Sequence, residues 1–297
     1  SLTDWSSTSA AAGIEDDSVW RYDQYGTTRW YNESLQLGVH GVSSYWSLSE
    51  SSYGQFQREM YLNQDLDYRY TSLDGRSFLD ALASVKYFGV ASGAEAYLPY
   101  GYRNNVVTRW TGQDAEKAGQ AEAQGGNTAG LDAAKISVYE NDCWLPLGYT
   151  YDRWISREEY EELTVTEKQQ ALLQGIVLED SGLEAAEPVY SDETVECIET
   201  LGDGIEKTED GILVRKARAS ITLNFSGLPE SETYFIMEGL DFQGIRPSEQ
   251  YTVEEWNALS VYEKNQVKLE DRDWTKPEAT TIQVSCGNVV KNLNYLN

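Results

Sequence analysis

Residues 78–90, FLDALASVKYFGV, join a helix to a strand without a break. Phe78, Leu79, Leu82 and Val85 recur at the spacing of one helical face. Val85, Tyr87, Phe88 and Val90 are the β-branched and aromatic types that suit a strand. Lys86 stands at the join. Such a side chain can bury its aliphatic stem while its ammonium reaches water, a carboxylate or a carbonyl. Two roles are open to it: an anchor for the junction, or a groove contact for an anionic acceptor. Its neighbours want burial, and they point to the anchor.

Working outward, residues 51–63 (SSYGQFQREMYLN) read as a helix opened by serines, with Phe56, Met60 and Tyr61 at i, i+4 and i+5. Residues 18–23 (SVWRYD) and 34–47 (SLQLGVHGVSSYWS) read as short extended segments. Residues 134–142 (AKISVYEND) and 145–155 (LPLGYTYDRWI) read as strands on either side of a turn. The Ala-, Gly- and Gln-rich stretch 114–134 is either a surface helix broken at Gly125–Gly126 or a loop.

Further along, SREEYEELTVTEKQQALL (156–173) aligns without gaps with TVEEWNALSVYEKNQVKL (252–269). Each copy holds two capping boxes: Ser156 with Glu159 and Thr164 with Glu167, then Thr252 with Glu255 and Ser260 with Glu263. Each copy therefore reads as two short helices joined by a tight turn. Between and after the copies run strand-length segments at 193–201, 211–228, 232–242 and 280–296. In one of them Ala219, Ile221, Leu223 and Phe225 share a face, which is expected to be buried. The expected class is α+β: a mixed α/β part over 1–150, then an antiparallel β-sandwich-like part over 151–297 with two inserted helix pairs.

The 297 residues carry 49 acidic against 23 basic side chains, a formal charge of -26. Phosphate backbones and anionic membrane surfaces would be repelled, so nucleic acid is not an expected partner. With 9 Trp and 21 Tyr the chain has bulky apolar material for a sizeable core. Its 3 cysteines, Cys143, Cys197 and Cys286, are far apart and form no CxxC pair, which excludes a zinc ribbon. They are expected to be small core residues, with one bridge left open.

Catalytic signatures are sparse. His40 is the sole histidine, so a His-rich metal site is impossible. No phosphate-binding glycine motif, nucleophile elbow or calcium loop occurs, and neither a metal nor a cofactor is expected. The acid pairs Asp16–Asp17, Asp65/Asp67 and Asp271/Asp273 read as solvated faces. A glycosidase would need two carboxyls about 5 to 10 Å apart, a geometry that spacing does not supply. The aromatic runs 20–32 and 43–56 interleave rings with small polar residues. They either build the core and sheet edges or stack on sugars, with Trp30, Tyr45 and Trp46 as the candidate glycan contacts.

Three stretches in order, 30–56 (WYNESLQLGVHGVSSYWSLSESSYGQF), 73–90 (LDGRSFLDALASVKYFGV) and 140–156 (ENDCWLPLGYTYDRWIS), resemble the extracytoplasmic region of the YfhO family of bacterial polytopic membrane proteins. Ser43, Ser44, Arg76, Lys86 and Tyr87 match the family pattern, as scaffold. The resemblance implies a glycosyltransferase-like protein that uses a lipid-linked sugar donor on cell-envelope polymers. Its soluble region would lie at the outer face of the cytoplasmic membrane. This segment is then a non-catalytic piece whose partners are its own transmembrane region and a cell-envelope glycan or polymer. No catalytic residue is carried over. The alternatives are a secreted carbohydrate-binding module and a glycoside hydrolase. Lys86 is expected to tie the junction to the Ser-Ser-Tyr or the Leu-Pro-Leu-Gly-Tyr segment.

Overall fold

The computed structural model describes residues 14, 16–25, 32, 34–35, 38–45, 48, 50–62, 69–70, 72–102, 106–111, 132–191, 194–209, 211–216, 218–240, 246–273 and 279–296. Its first elements are β1 (Arg21–Tyr25), β2 (Ser44–Tyr45), α1 (Ser51–Glu59), β3 (Arg69–Tyr70), α2 (Ser77–Leu82), β4 (Val85–Ser92), β5 (Val106–Thr111) and β6 (Asp132–Glu140). They are followed by β7 (Arg153–Ser156), α3 (Arg157–Glu161), α4 (Val165–Ala171), β8 (Ile176–Leu178) and β9 (Glu184–Ala185).

The 78–90 stretch forms the helix and the strand that its pattern predicts. The hand-over is made by one residue: Ser84 takes a left-handed conformation, φ 60°, which turns the chain out of α2 and into β4. Strand β4 lies inside a sheet of order β1-β4-β6-β5, parallel to β1 and antiparallel to β6. Both faces of β4 are covered, each by its own apolar cluster, which is why 85–91 reads as a nearly continuous apolar run. Phe88 and Val90 enter the main core, while Tyr87 packs with Trp20, Tyr22, Ile136 and Val138. Gly89 is required by a close approach: a Cβ there would sit 1.8 Å from the hydroxyl of Tyr22, a ring that is itself buried.

The main core runs from Val42 through Met60, Leu79, Val85 and Tyr102 to Ile155, Tyr160 and Ala171. It thus includes side chains on both sides of residue 150. Helix α1 opens where the Glu50 side chain accepts the N–H of Tyr53, and it delivers Met60 fully buried. Strand β7 is the centre of a second sheet, β8-β7-β9, with both neighbours parallel. Of the 145–155 stretch, only 153–155 is strand; the Leu-Pro-Leu-Gly-Tyr part is irregular.

The remaining elements are β10 (Cys197–Leu201), β11 (Ile205–Thr208), β12 (Gly211–Val214), β13 (Ile221–Phe225), α5 (Val253–Ala258), α6 (Val261–Asp273), β14 (Ala279–Cys286) and β15 (Val289–Leu296). All four capping boxes are present. The antiparallel strands pair as two-stranded ribbons, β10-β13, β11-β12 and β14-β15. The α+β class holds.

Two expectations are corrected. The Ile221 face is not buried: Ile221 is 37% exposed and Phe225 is exposed too, because ribbon β10-β13 has no second layer over it among the described residues. Cys143, Cys197 and Cys286 are unbridged and exposed rather than core residues, since each sits on an exposed turn or ribbon. The 114–134 alternatives lie, up to residue 131, outside the described residues, and β6 begins at Asp132.

Candidate functional site

Two polar clusters border the central sheet. The first forms around Lys86. Its Nζ donates to Asp16 Oδ2 at 2.7 Å, lies 3.6 Å from Glu140 Oε1 and sits 4.6 Å from the ring centroid of Trp144. Lys86 and Asp16 are each 13% exposed. The Tyr87 hydroxyl donates to the same Asp16 oxygen at 2.8 Å. Burial pulls the Asp16 carboxyl upward, but hydrogen bonds from Lys86, Ser18 and Tyr87 outweigh it and hold the group well below the usual range. Burial and the Asp16 charge raise the Tyr87 phenol. Lys86 would have to break a short ion pair before it could serve a substrate. The carboxylate partner was expected, but its location was not. It comes from the segment before β1 and from the end of β6, not from the Ser-Ser-Tyr or Leu-Pro-Leu-Gly-Tyr residues.

The second cluster lies under α2. Arg76 is buried and donates through Nη2 to the carbonyl of Met60, tying α2 to the end of α1. Burial lowers its guanidinium below the ordinary value, and Asp74, Tyr234 and Glu232 counter that. Beneath it Asp80 and Asp23 are both buried. The Tyr102 hydroxyl donates to Val85 O at 2.9 Å and lies 3.2 Å from Asp80 Oδ2. Asp23 Oδ2 accepts from Ser72 Oγ at 2.6 Å. Burial pushes the Asp23 carboxyl up to about 6. Burial and then the charge of Asp23 raise Asp80 well above its ordinary value. At both positions burial favours the protonated acid over the carboxylate.

A strap without regular secondary structure, residues 228–240, lies across this cluster. Glu232 accepts the backbone N–H of Ser77 at 3.1 Å and the Ser77 hydroxyl, so a carboxylate 155 residues away caps the N-terminus of α2. Tyr234 donates to Glu232, Tyr100 donates to Glu230 at 2.7 Å, and Tyr61 donates to Glu238 at 3.3 Å. Hairpin β14-β15 reaches the same side: Val290 N donates to Tyr97 OH at 2.7 Å, and Lys291 pairs with Asp74 at 2.7 Å.

The other singled-out residues are not brought together with these clusters. Ser43 is half-buried in irregular chain, and Ser44 pairs with Tyr70 between β2 and β3. Tyr45 is 46% exposed, and its backbone N–H and C=O are both bonded to the Asn32 side chain. Trp30 and Trp46 lie outside the described residues, as do Asp65 and Asp67. Exposed His40 accepts the N–H of Tyr22 through its carbonyl. Asp271 accepts the N–H of Ser248. Among the described residues no group of three or more His, Cys, Asp or Glu could hold a metal ion.

Reading by pattern missed Asp16, Asp23, Asp80 and Glu232. Asp80 could have been found, because it interrupts FLDAL one residue after a core leucine. Asp23 lies similarly inside an aromatic strand. Glu232 carried no local signal, since its partner is remote in sequence.

Among the described residues no helix is long and apolar enough to cross a membrane. The family described as "Bacterial membrane protein YfhO" matches residues 6–280. The chain is similar to the "Uncharacterized protein YfhO" of Bacillus subtilis (strain 168), 27% identical over 169 residues, which is 56% of this chain. The match spans only 17% of that relative's length. No solved structure matches. A family match over most of the chain, on residues that include both polar clusters and the strand between them, makes this protein a member of the YfhO family of bacterial membrane proteins.

Proposed function

We propose that the chain is an extracytoplasmic, non-catalytic region of a glycosyltransferase-like integral membrane protein. The whole protein would transfer sugar from a lipid-linked donor onto a cell-envelope polymer, with this region held over its membrane-embedded part. The observation that carries the non-catalytic reading is the engagement of the family-pattern side chains inside the fold. Lys86 and Tyr87 are both spent on Asp16, and Arg76 on the Met60 carbonyl. Groups already paired in the dry part of a protein hold its shape and are poor candidates for contacting a substrate. A second reading, a carbohydrate-binding module, is favoured by the exposed ring of Tyr45.

The three exposed thiols supply the test. On intact cells that make the full-length protein, a membrane-impermeant maleimide should label Cys143, Cys197 and Cys286. Deleting the protein should strip a sugar from an envelope polymer. Labelling only after the membrane is broken would overturn the location, and an unchanged polymer would overturn the role. Glycan binding by this chain that is lost in Tyr45→Ala would favour the second reading.

A further inference from the structure

The two copies of the repeated helix pair meet different surroundings. In α4, Thr166, Gln169 and Gln170 stand at i, i+3 and i+4 on one face of the helix, and Leu173 follows at i+7 in the turn after it. Thr166 and Gln170 are 7% exposed and Gln169 is buried, because chain lies over them. Gln170 Oε1 accepts the N–H of Ser191 at 2.8 Å, Gln174 exchanges both its amide groups with the Val189 backbone, and Gln169 bonds the Tyr234 side chain. An extended segment is thus laid along that face by its backbone.

In α6 the register-equivalent face is Tyr262, Asn265, Gln266 and Leu269. It is more apolar than its counterpart, and every one of its side chains is exposed, Tyr262 at 72%. Val261 is 78% exposed where its equivalent Val165 is buried, and Val253 stands exposed where Arg157 is ion-paired. Tyr262, Leu269 and the adjoining Val261 keep apolar surface in water, and covering it is favourable by roughly 25 cal/mol per Å².

We infer that the Tyr262–Leu269 face of α6 is a docking surface for an extended apolar segment of the same polypeptide, from outside these 297 residues. This inference rests on the reading of the chain as one part of a larger membrane protein. Three observations select the occupant. The first copy shows what the motif holds when it is full: extended backbone with an N–H for the glutamine. Gln266 keeps that acceptor in the same register as Gln170. The match covers only 17% of the Bacillus relative, so most of that polypeptide lies elsewhere. A second copy of this chain is disfavoured, because each carries a formal charge of -26.

The test uses the full-length protein in membranes, with a photoreactive benzoylphenylalanine in place of Tyr262 and, as control, of exposed Leu147. Irradiation at 262 should join residue 262 to peptides of the same polypeptide outside this chain, in a band of monomer size. Position 147 should give no such product. A dimer-sized band, adducts only to lipid or to unrelated protein, crosslinks confined to this chain, or no crosslink would each overturn the inference. A double variant, Tyr262→Glu with Leu269→Glu, changes only exposed positions and should leave the region folded. It should raise protease cleavage between the region and the rest of the protein severalfold, and unchanged cleavage would also overturn the inference. Crosslink mapping reads neither sugar transfer nor membrane side. A protein that crosslinks as expected yet leaves the polymer unchanged would fail the proposed function alone.

Discussion

The helix pairs at 156–173 and 252–269 share a sequence pattern and both capping boxes, yet one is part of the core and the other stands on the surface. Tyr160 of the first pair is fully buried in the main cluster, whereas its counterpart Trp256 is half-exposed and packs edge-on against Tyr251. The lesson concerns what a cap does. A capping box satisfies orphan N–H groups from within four residues, so it forms wherever its sequence occurs. Burial of the helix face depends on what chain arrives from elsewhere. For the first pair that is α2 and the segment 189–191.

The comparison can be broken most directly at the equivalent aromatics. Tyr160→Ala should destabilise the chain by about 3 to 5 kcal/mol, the range for emptying a packed aromatic site, and Trp256→Ala by about 1 kcal/mol. Equal losses in denaturant titrations would show that the second pair is as firmly docked as the first.

Next in size is Lys86→Met, which keeps the stem and removes the ammonium. Asp16 would lose its ion pair in a nearly dry position, at about 1 to 3 kcal/mol. Thermal melts at two salt concentrations check this: the loss should persist at high salt, because a pair this buried is little screened. An unchanged melt would return Lys86 to the groove-contact reading.

A smaller, pH-dependent effect belongs to Asp23 and Asp80. The folded pKa of Asp23, about 6, lies above its ordinary value of 3.8. Between those values the folded state keeps a proton that the unfolded state has released. This group's stabilisation is therefore present at low pH and is lost as pH rises through about 6. One proton limits the slope to about 1.4 kcal/mol per pH unit. Asp16 acts in the opposite sense, with stabilisation present above the ordinary carboxylate range and lost as pH falls below it. Asp80→Asn replaces a buried carboxyl, whose ionisation burial and the Asp23 charge oppose, with a neutral amide. It should flatten the difference in stability between pH 4.5 and pH 7 relative to wild type, as read by urea midpoints. A steeper difference would contradict the buried-proton account.

The smallest effect is expected in the exposed ribbon. Ile221→Asp should change stability by less than about 0.5 kcal/mol, although the alternating pattern of its strand predicts a buried face. A loss above about 2 kcal/mol would mean that something covers ribbon β10-β13, and would extend the contrast between the two helix pairs to the strands around them.

The sequence alone determined whatever depends on near neighbours. The period change across 78–90 marked α2 and β4, and serine or threonine three residues before glutamate marked all four boxes. The β-branched and aromatic residues of 85–90 marked a strand that prefers burial. The ordered stretches at 30–56, 73–90 and 140–156 sufficed to indicate the family. Tertiary structure decided which surfaces are closed. Alternation around Ile221 is identical whether or not a second sheet lies over it, and the repeats look alike whether docked or bare. The partners of Lys86, Arg76 and Ser77 come from Asp16, Met60 and Glu232, at separations of 70, 16 and 155 residues. Local spacing encodes backbone geometry and the preference of a side chain for burial. Which carboxylate meets which cation depends on the path of the whole chain, and on its acidic surface any of many carboxylates could have been the partner.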